Sequence, residues 1–178
     1  DEMLEQFTRE YIEAQTMPQV LFTWHGGEPL MRSIDFYKKA LALQKKYAHG
    51  KQIDNVIQTN GTLLTDEWCE FFAQNHWLVG ISIDGPQEYH DHYRVTPAGK
   101  PSWEKVMQGI SLLKKHRVEW NAMAVVNAYN AEHPLEFYHF FRDNGCQYLQ
   151  FTPIVERLTE HEDGRTLASL ADDREIPL

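Results

Sequence analysis

The sequence has 178 residues, 42% hydrophobic and 12% aromatic, with a net charge of −9. That suits one folded domain with a sizeable core and argues against disorder, while the acidic balance argues against a binder of phosphate backbones. No apolar run approaches the ~18 residues of a membrane span. Cys69 and Cys146 stand apart, neither in a C-x-x-C pair. They read as ordinary buried or half-buried thiols, which fits a reducing, cytoplasmic setting.

Leu4, Phe7, Tyr11 and Ile12 recur at helical spacing among charges over residues 3–15, and Thr16-Met17-Pro18 stops that helix. Val20 to Trp24 is an apolar run read as a buried strand. It ends in the turn Trp24-His25-Gly26-Gly27-Glu28-Pro29. Two adjacent glycines permit positive φ and close backbone approach, and Pro29 stiffens the exit. Ser33 is placed to cap a helix running to about His49. Phe36, Tyr37, Ala40, Leu41, Gln44 and Tyr47 share one side of it, and Gly50 is its stop. Ile53 to Gln58 is the second strand, followed by Thr59-Asn60-Gly61 and a helix capped by Thr65 that holds Trp68, Phe71 and Phe72.

Leu78 to Ile83, apolar on both faces, is the third strand. It leads into Asp84-Gly85-Pro86 and a long polar connection to about Lys100. Ser102 is the expected cap of a helix with a seam of Trp103, Val106, Ile110 and Leu113. Trp120 to Val126 is the fourth strand, and Asn127 to His133 reads as a loop. Pro134 opens a helix carrying Phe137, Tyr138 and Phe141, which Asn144-Gly145 ends. Tyr148 to Phe151 is the fifth strand. Beyond Thr152 the chain turns charged and irregular, so residues 1–157 are expected to fold and 158–178 to form a tail or linker.

Strands without alternation, each followed by a helix, mean a parallel sheet with helices on its faces. Such repeats close into a full or partial barrel, or form an open doubly wound sheet. In both, ligands bind where the loops leave the strand C-termini. Those loops carry His25, Gly26, Gly27 and Glu28; Gln58 to Gly61; Ser82, Asp84 and Gly85; His90, Asp91, His92 and Arg94; and Thr152 to Arg157. Backbone N–H groups with one acid suit a small ligand with charged ends, such as an amino acid. Glu28 facing an ammonium group and Arg94 clamping a carboxylate would bracket one. A solvated turn and a surface arginine are the plainer alternatives. His90-x-His92 with Asp91 and His25 suggests a metal site only weakly, since no fixed ligand set is visible. No Walker A, G-x-G-x-x-G or G-x-S-x-G motif occurs, so hydrolase and nucleotide-triphosphatase readings lack support.

Five stretches occur together, in order: Phe-Thr-Trp-His-Gly-Gly-Glu-Pro (22–29), Gln-Thr-Asn-Gly-Thr-Leu-Leu (58–64), Gly-Ile-Ser-Ile-Asp-Gly-Pro (80–86), His-Asp-His-Tyr-Arg (90–94) and Leu-Gln-Phe-Thr-Pro-Ile-Val-Glu-Arg (149–157). As a set they closely resemble the anaerobic sulfatase-maturating enzymes, which are radical S-adenosylmethionine (SAM) enzymes with a cysteine-rich C-terminal extension. The resemblance implies an α/β fold, a partial parallel (β/α) barrel of the radical SAM type. It implies SAM and a [4Fe-4S] cluster as cofactors, and oxidation of a Cys or Ser in an unfolded sulfatase segment to formylglycine. The sulfatase polypeptide and an electron-donor protein are the implied partners.

By the same resemblance, Gly26, Gly27 and Glu28 hold the SAM amino group, and His25 stands where relatives often carry Gln. Ser82 contacts SAM, Arg94 lies near its carboxylate, and Val155 meets the adenine. Asn60 and Asp84 are assigned only to loop architecture. The family's C-x-x-x-C-x-x-C cluster loop would precede residue 1, and neither cysteine matches a ligand position. The first strand here therefore corresponds to the family's second. The expectation is an internal part of such an enzyme, inactive alone and prone to self-association through an open sheet edge. A non-catalytic regulator of sulfatase maturation and a maturase of another peptide are the rival readings.

Overall fold

The computed structural model describes residues 2–154. The chain divides into two compact units, one running through Ile81 and including Lys105–Trp120, the other comprising Ser82–Glu104 and the residues from Asn121 onward.

In the first unit, helix α1 (Glu2–Ala14) is followed by strand β1 (Gln19–Trp24), a 3-10 turn at Pro29–Met31, α2 (Ile34–Tyr47), β2 (Gln52–Thr59), α3 (Asp66–Gln74) and β3 (Leu78–Ser82). Most of α5 (Trp103–Lys115) also belongs to it. β1 and β2 run parallel, with Gln19–Trp24 opposite Gln52–Ile57, and β2 runs parallel to β3 from Val56 to Thr59. This parallel register carries the turn after Trp24 alongside the turn after Thr59.

The run Val20 to Trp24 buries one face only. Val20 and Phe22 pack against Ile12 of α1, while Leu21 stays 48% exposed. On α2, Tyr37, Ala40 and Gln44 are buried as the spacing predicts, and Leu43 joins them. An aromatic block fills the core: Trp24 and Trp77 stack at 6.2 Å, and Tyr37 meets both edge-on at 5.3 and 5.5 Å. Each such pair adds about 0.5–1.5 kcal/mol beyond area burial. Its polar atoms are paired around Trp24, while the buried Trp77 Nε1 has no hydrogen-bond partner among the described residues. Asn55 Oδ1 accepts from Trp24 Nε1 and from Gln44 Nε2, and Asn55 Nδ2 donates to Gln44 Oε1, all at 2.9 Å. A buried amide network satisfied in this way also specifies which helix face packs on the strand.

Thr65 caps α3 as expected, its hydroxyl accepting from Trp68 N at 3.3 Å. Ser33 holds the N-cap position of α2, but its side chain makes no capping bond.

The second unit contains α4 (Gln87–Tyr93), the start of α5, most of β4 (Glu119–Val126), α6 (Ala128–Ala131), α7 (Pro134–Asp143) and β5 (Leu149–Pro153). β4 and β5 are parallel, Ala122–Val126 opposite Leu149–Pro153. Two stretches read as loops are helical. α4 is too short and polar for its periodicity to register, since Tyr89 and His90 alone are buried on it. α6 is one turn held by a reciprocal box in which Asn127 and Asn130 side chains accept from each other's backbone N–H groups.

The expected cap of α5 is also corrected. Asp91 Oδ1, not Ser102, takes the first helix N–H groups, accepting from Ser102 N and Trp103 N at 2.9 Å. Gly85 (φ +84) turns the chain where a Cβ would meet the Phe137 ring at 2.5 Å, so glycine is required there.

Candidate functional site

In the first unit, the Gly-Gly-Glu-Pro turn follows β1. Gly26 has φ +125, a conformation strained for any other residue, and both glycines are exposed with open space where a Cβ would lie. His25 Nδ1 accepts from Gly26 N at 2.7 Å, so the neutral ring carries its proton on Nε2.

Glu28 is the organising side chain. Its Oε1 accepts from Leu30 N at 3.0 Å and from the Thr59 hydroxyl at 2.6 Å, and Oε2 accepts from Asn60 N at 2.9 Å. The carboxylate thus ties the turn after β1 to the turn after β2. Oε1 is saturated, and Oε2 keeps one lone pair for a further donor. Thr59 is 2% exposed, and its oxygen also accepts from Gly61 N at 3.1 Å. Asn60 Oδ1 accepts from Thr62 N and its hydroxyl, which closes a small polar turn at 2.9 and 2.7 Å. The Tyr37 hydroxyl donates to Pro29 O at 2.9 Å, and burial pushes its pKa up to about 12.

In the second unit, Ser82 ends β3, half-buried. Arg94 follows α4, and its guanidinium grips Asp84 in two-pronged fashion, Nε to Oδ2 at 2.5 Å and Nη2 to Oδ1 at 3.1 Å. Asp84 is buried and also accepts from Val125 N at 2.8 Å. His90 is 1% exposed with both ring nitrogens engaged: Nδ1 with Asp84 N at 3.2 Å and Nε2 with Ser102 Oγ at 2.9 Å. Burial lowers its pKa to about 4. His92 stacks on Tyr129 at 4.1 Å. The His-x-His pair is therefore structural. Val155 lies outside the described residues.

Among the described residues no group of three His, Cys, Asp or Glu side chains is placed to hold a metal ion. Cys69 is fully buried on α3, where burial raises its thiol to about 11. Cys146 is half-buried, its thiol donating to Tyr148 O at 3.1 Å. These thiols do not fit a [4Fe-4S] cluster, which needs several thiolates converging on one point. The Gly26–Glu28 turn does fit the charged end of an amino acid, through exposed backbone and the free lone pair of Oε2.

The sequence reading named His25, Gly26, Gly27, Glu28, Ser82 and Arg94. It gave Thr59, which braces Glu28, no role of its own, placed His90 only in a weak metal reading, and took Ser102 for a helix cap. The signal for Thr59 was its place at the end of the neighbouring strand. For Ser102 there was none, because a serine before a helix reads as a cap.

The Radical SAM superfamily profile matches residues 2–141. The chain is 71% identical over 175 residues to a serine-type anaerobic sulfatase-maturating enzyme of Bacteroides thetaiotaomicron, covering 98% of this chain and 42% of that one. It is 40% identical over 172 residues to the serine-type enzyme of Klebsiella aerogenes, covering 95% of this chain and 42% of that one. The structure of native anSMEcpe with bound AdoMet and Kp18Cys peptide superposes with a TM-score of 0.85 at 34% identity, over 90% of this chain and 44% of that one. The chain thus spans less than half the length of these relatives. The resemblance read from the five motifs and the parallel α/β fold of the radical SAM type both hold: the chain belongs to the radical SAM superfamily.

Proposed function

We propose that this chain is the SAM-binding portion of a radical SAM sulfatase maturase, an oxidoreductase that converts a sulfatase Ser or Cys to formylglycine. The observation that carries the reading is 71% identity over 98% of the chain to the serine-type enzyme. The serine-type names of two relatives favour a serine target.

In this reading Gly26 and Gly27 bring backbone up to the SAM methionine end, and Oε2 of Glu28 accepts from its ammonium group. His25 lies beside that group. Ser82 and Arg94 take the carboxylate, and Val155 meets the adenine. Bound SAM supplies the 5′-deoxyadenosyl group for hydrogen abstraction. This chain's residues bind and orient that cofactor. An electron-donor protein belongs to the same proposal. So does self-association through the open parallel sheet edge at β1, which light scattering across a concentration series tests.

Equilibrium dialysis with SAM tests the binding role. The chain is expected to bind SAM and Glu28→Gln to lose at least about tenfold in affinity, the worth of one charge-assisted bond. The activity is tested on the whole gene product with a sulfatase peptide carrying Ser or Cys at the target position. Mass spectrometry should find formylglycine, and conversion of neither peptide would overturn the assignment. Among the described residues no helix is long and apolar enough to cross a membrane.

A further inference from the structure

Four residues of the second unit form a closed ring of hydrogen bonds. Asp84 N donates to His90 Nδ1 at 3.2 Å, and His90 Nε2 meets Ser102 Oγ at 2.9 Å. Ser102 Oγ donates to Arg94 O at 2.6 Å, and the Arg94 guanidinium returns to the Asp84 carboxylate. The proton order follows from chemistry. His90 Nδ1 accepts from a backbone N–H, so the neutral ring donates from Nε2. The Ser102 oxygen accepts that proton and passes its own to Arg94 O. Every link is satisfied in one direction only. His90 and Ser102 are 1% and 8% exposed, whereas the Arg94 side chain is 29% exposed. The ring is therefore rooted in the interior and presents one cation outward.

We infer that His90 and Ser102 are positioning residues for Arg94, setting the outward end of its guanidinium for the carboxylate of SAM. The inference rests on the reading above that Arg94 takes that carboxylate. With Nε and Nη2 spent on Asp84, the Nη1–Nη2 end is the remaining fork for a second carboxylate. Asp84 fixes the plane of the fork, and Asp84 is itself fixed by Val125 N and, through its backbone, by His90. Ser102 holds Arg94 at its main chain. A carboxylate clamp depends on the direction of two N–H groups, so play in the ring weakens the carboxylate contact and leaves the rest of SAM recognition unchanged.

The test compares SAM with decarboxylated SAM, which lacks the group Arg94 would hold, by equilibrium dialysis on the full chain. The expected result is that Ser102→Ala weakens SAM binding about tenfold, the worth of a lost, well-aligned charge-assisted contact. It should leave decarboxylated SAM within about twofold, and Ser102→Thr, which keeps the hydroxyl, should restore the difference. Equal loss for both ligands would reduce the ring to general stability, and no loss for either would remove Ser102 from SAM binding; both overturn the inference. If Ser102→Ala does not fold, His90→Gln is read the same way, since it keeps a donor for Ser102 and drops the acceptor for Asp84 N. Arg94→Ala separates the two levels. If it does not abolish the preference for SAM over decarboxylated SAM, the carboxylate assignment of Arg94 fails. If the unmodified chain binds neither ligand, the SAM reading fails.

Discussion

Thr59→Val removes one hydroxyl and keeps the shape of the side chain. In the structure that hydroxyl donates to Glu28 Oε1 at 2.6 Å and accepts from Gly61 N at 3.1 Å, at a residue 2% exposed. A hydrogen bond to a charged group contributes roughly 1.5–3 kcal/mol, and a buried N–H left unpaired costs roughly 1–3 kcal/mol. The two do not add in full, because Glu28 is only half-buried and water can replace part of its loss. The expected destabilisation is about 2–3 kcal/mol, or roughly 1 M in the urea midpoint for a domain of this size. Urea titration followed by tryptophan fluorescence measures it, reporting through the packed Trp24 and Trp77. Thr59→Ser, which keeps the hydroxyl, should lose less than about 1 kcal/mol. A double-mutant cycle with Glu28→Gln should return a coupling of about 1–2 kcal/mol. A Thr59→Val midpoint within about 0.2 M of the unmodified chain, or additive cycle energies, would refute the brace between the two turns.

Gly85→Ala should cost about 3 kcal/mol, since its Cβ would lie 2.5 Å from the Phe137 ring at φ +84. Gly99→Ala, at φ +70 with nothing within 4 Å, should cost only about 1 kcal/mol, and equal midpoints for the two would contradict the contact. His90, buried and neutral with a folded pKa of about 4, takes up its proton more readily when unfolded, near pH 6.5. Its contribution to stability is thus complete above about pH 6.5 and falls as pH drops towards 4, by on the order of 3 kcal/mol across that window. Urea midpoints over that range should fall more steeply for the unmodified chain than for His90→Gln, and parallel curves would refute the assignment. Native labelling with a thiol reagent should modify Cys146 and leave Cys69, fully buried with its thiol raised to about 11, unmodified until urea unfolds the chain.

The sequence by itself determined the order of elements and the local chemistry of its turns. The alternation of strand and helix, the glycine turn after Trp24, the Thr65 cap and Pro134 at the first position of α7 each depend on residues within one window. The five motif stretches, read in order, were enough to point to the superfamily.

Tertiary structure alone decided which groups meet. Glu28 and Thr59 lie 31 residues apart and touch because β1 and β2 align in parallel register. Asp91 caps α5 from 11 residues away, which frees Ser102 for the ring with His90 and Arg94. α4 and α6 escaped notice because their stability comes from tertiary contacts and side-chain caps, not from an apolar period. Periodicity and capping are short-range and written in neighbouring residues. The partners of a buried carboxylate or imidazole depend on how distant segments align, and no local pattern encodes that alignment.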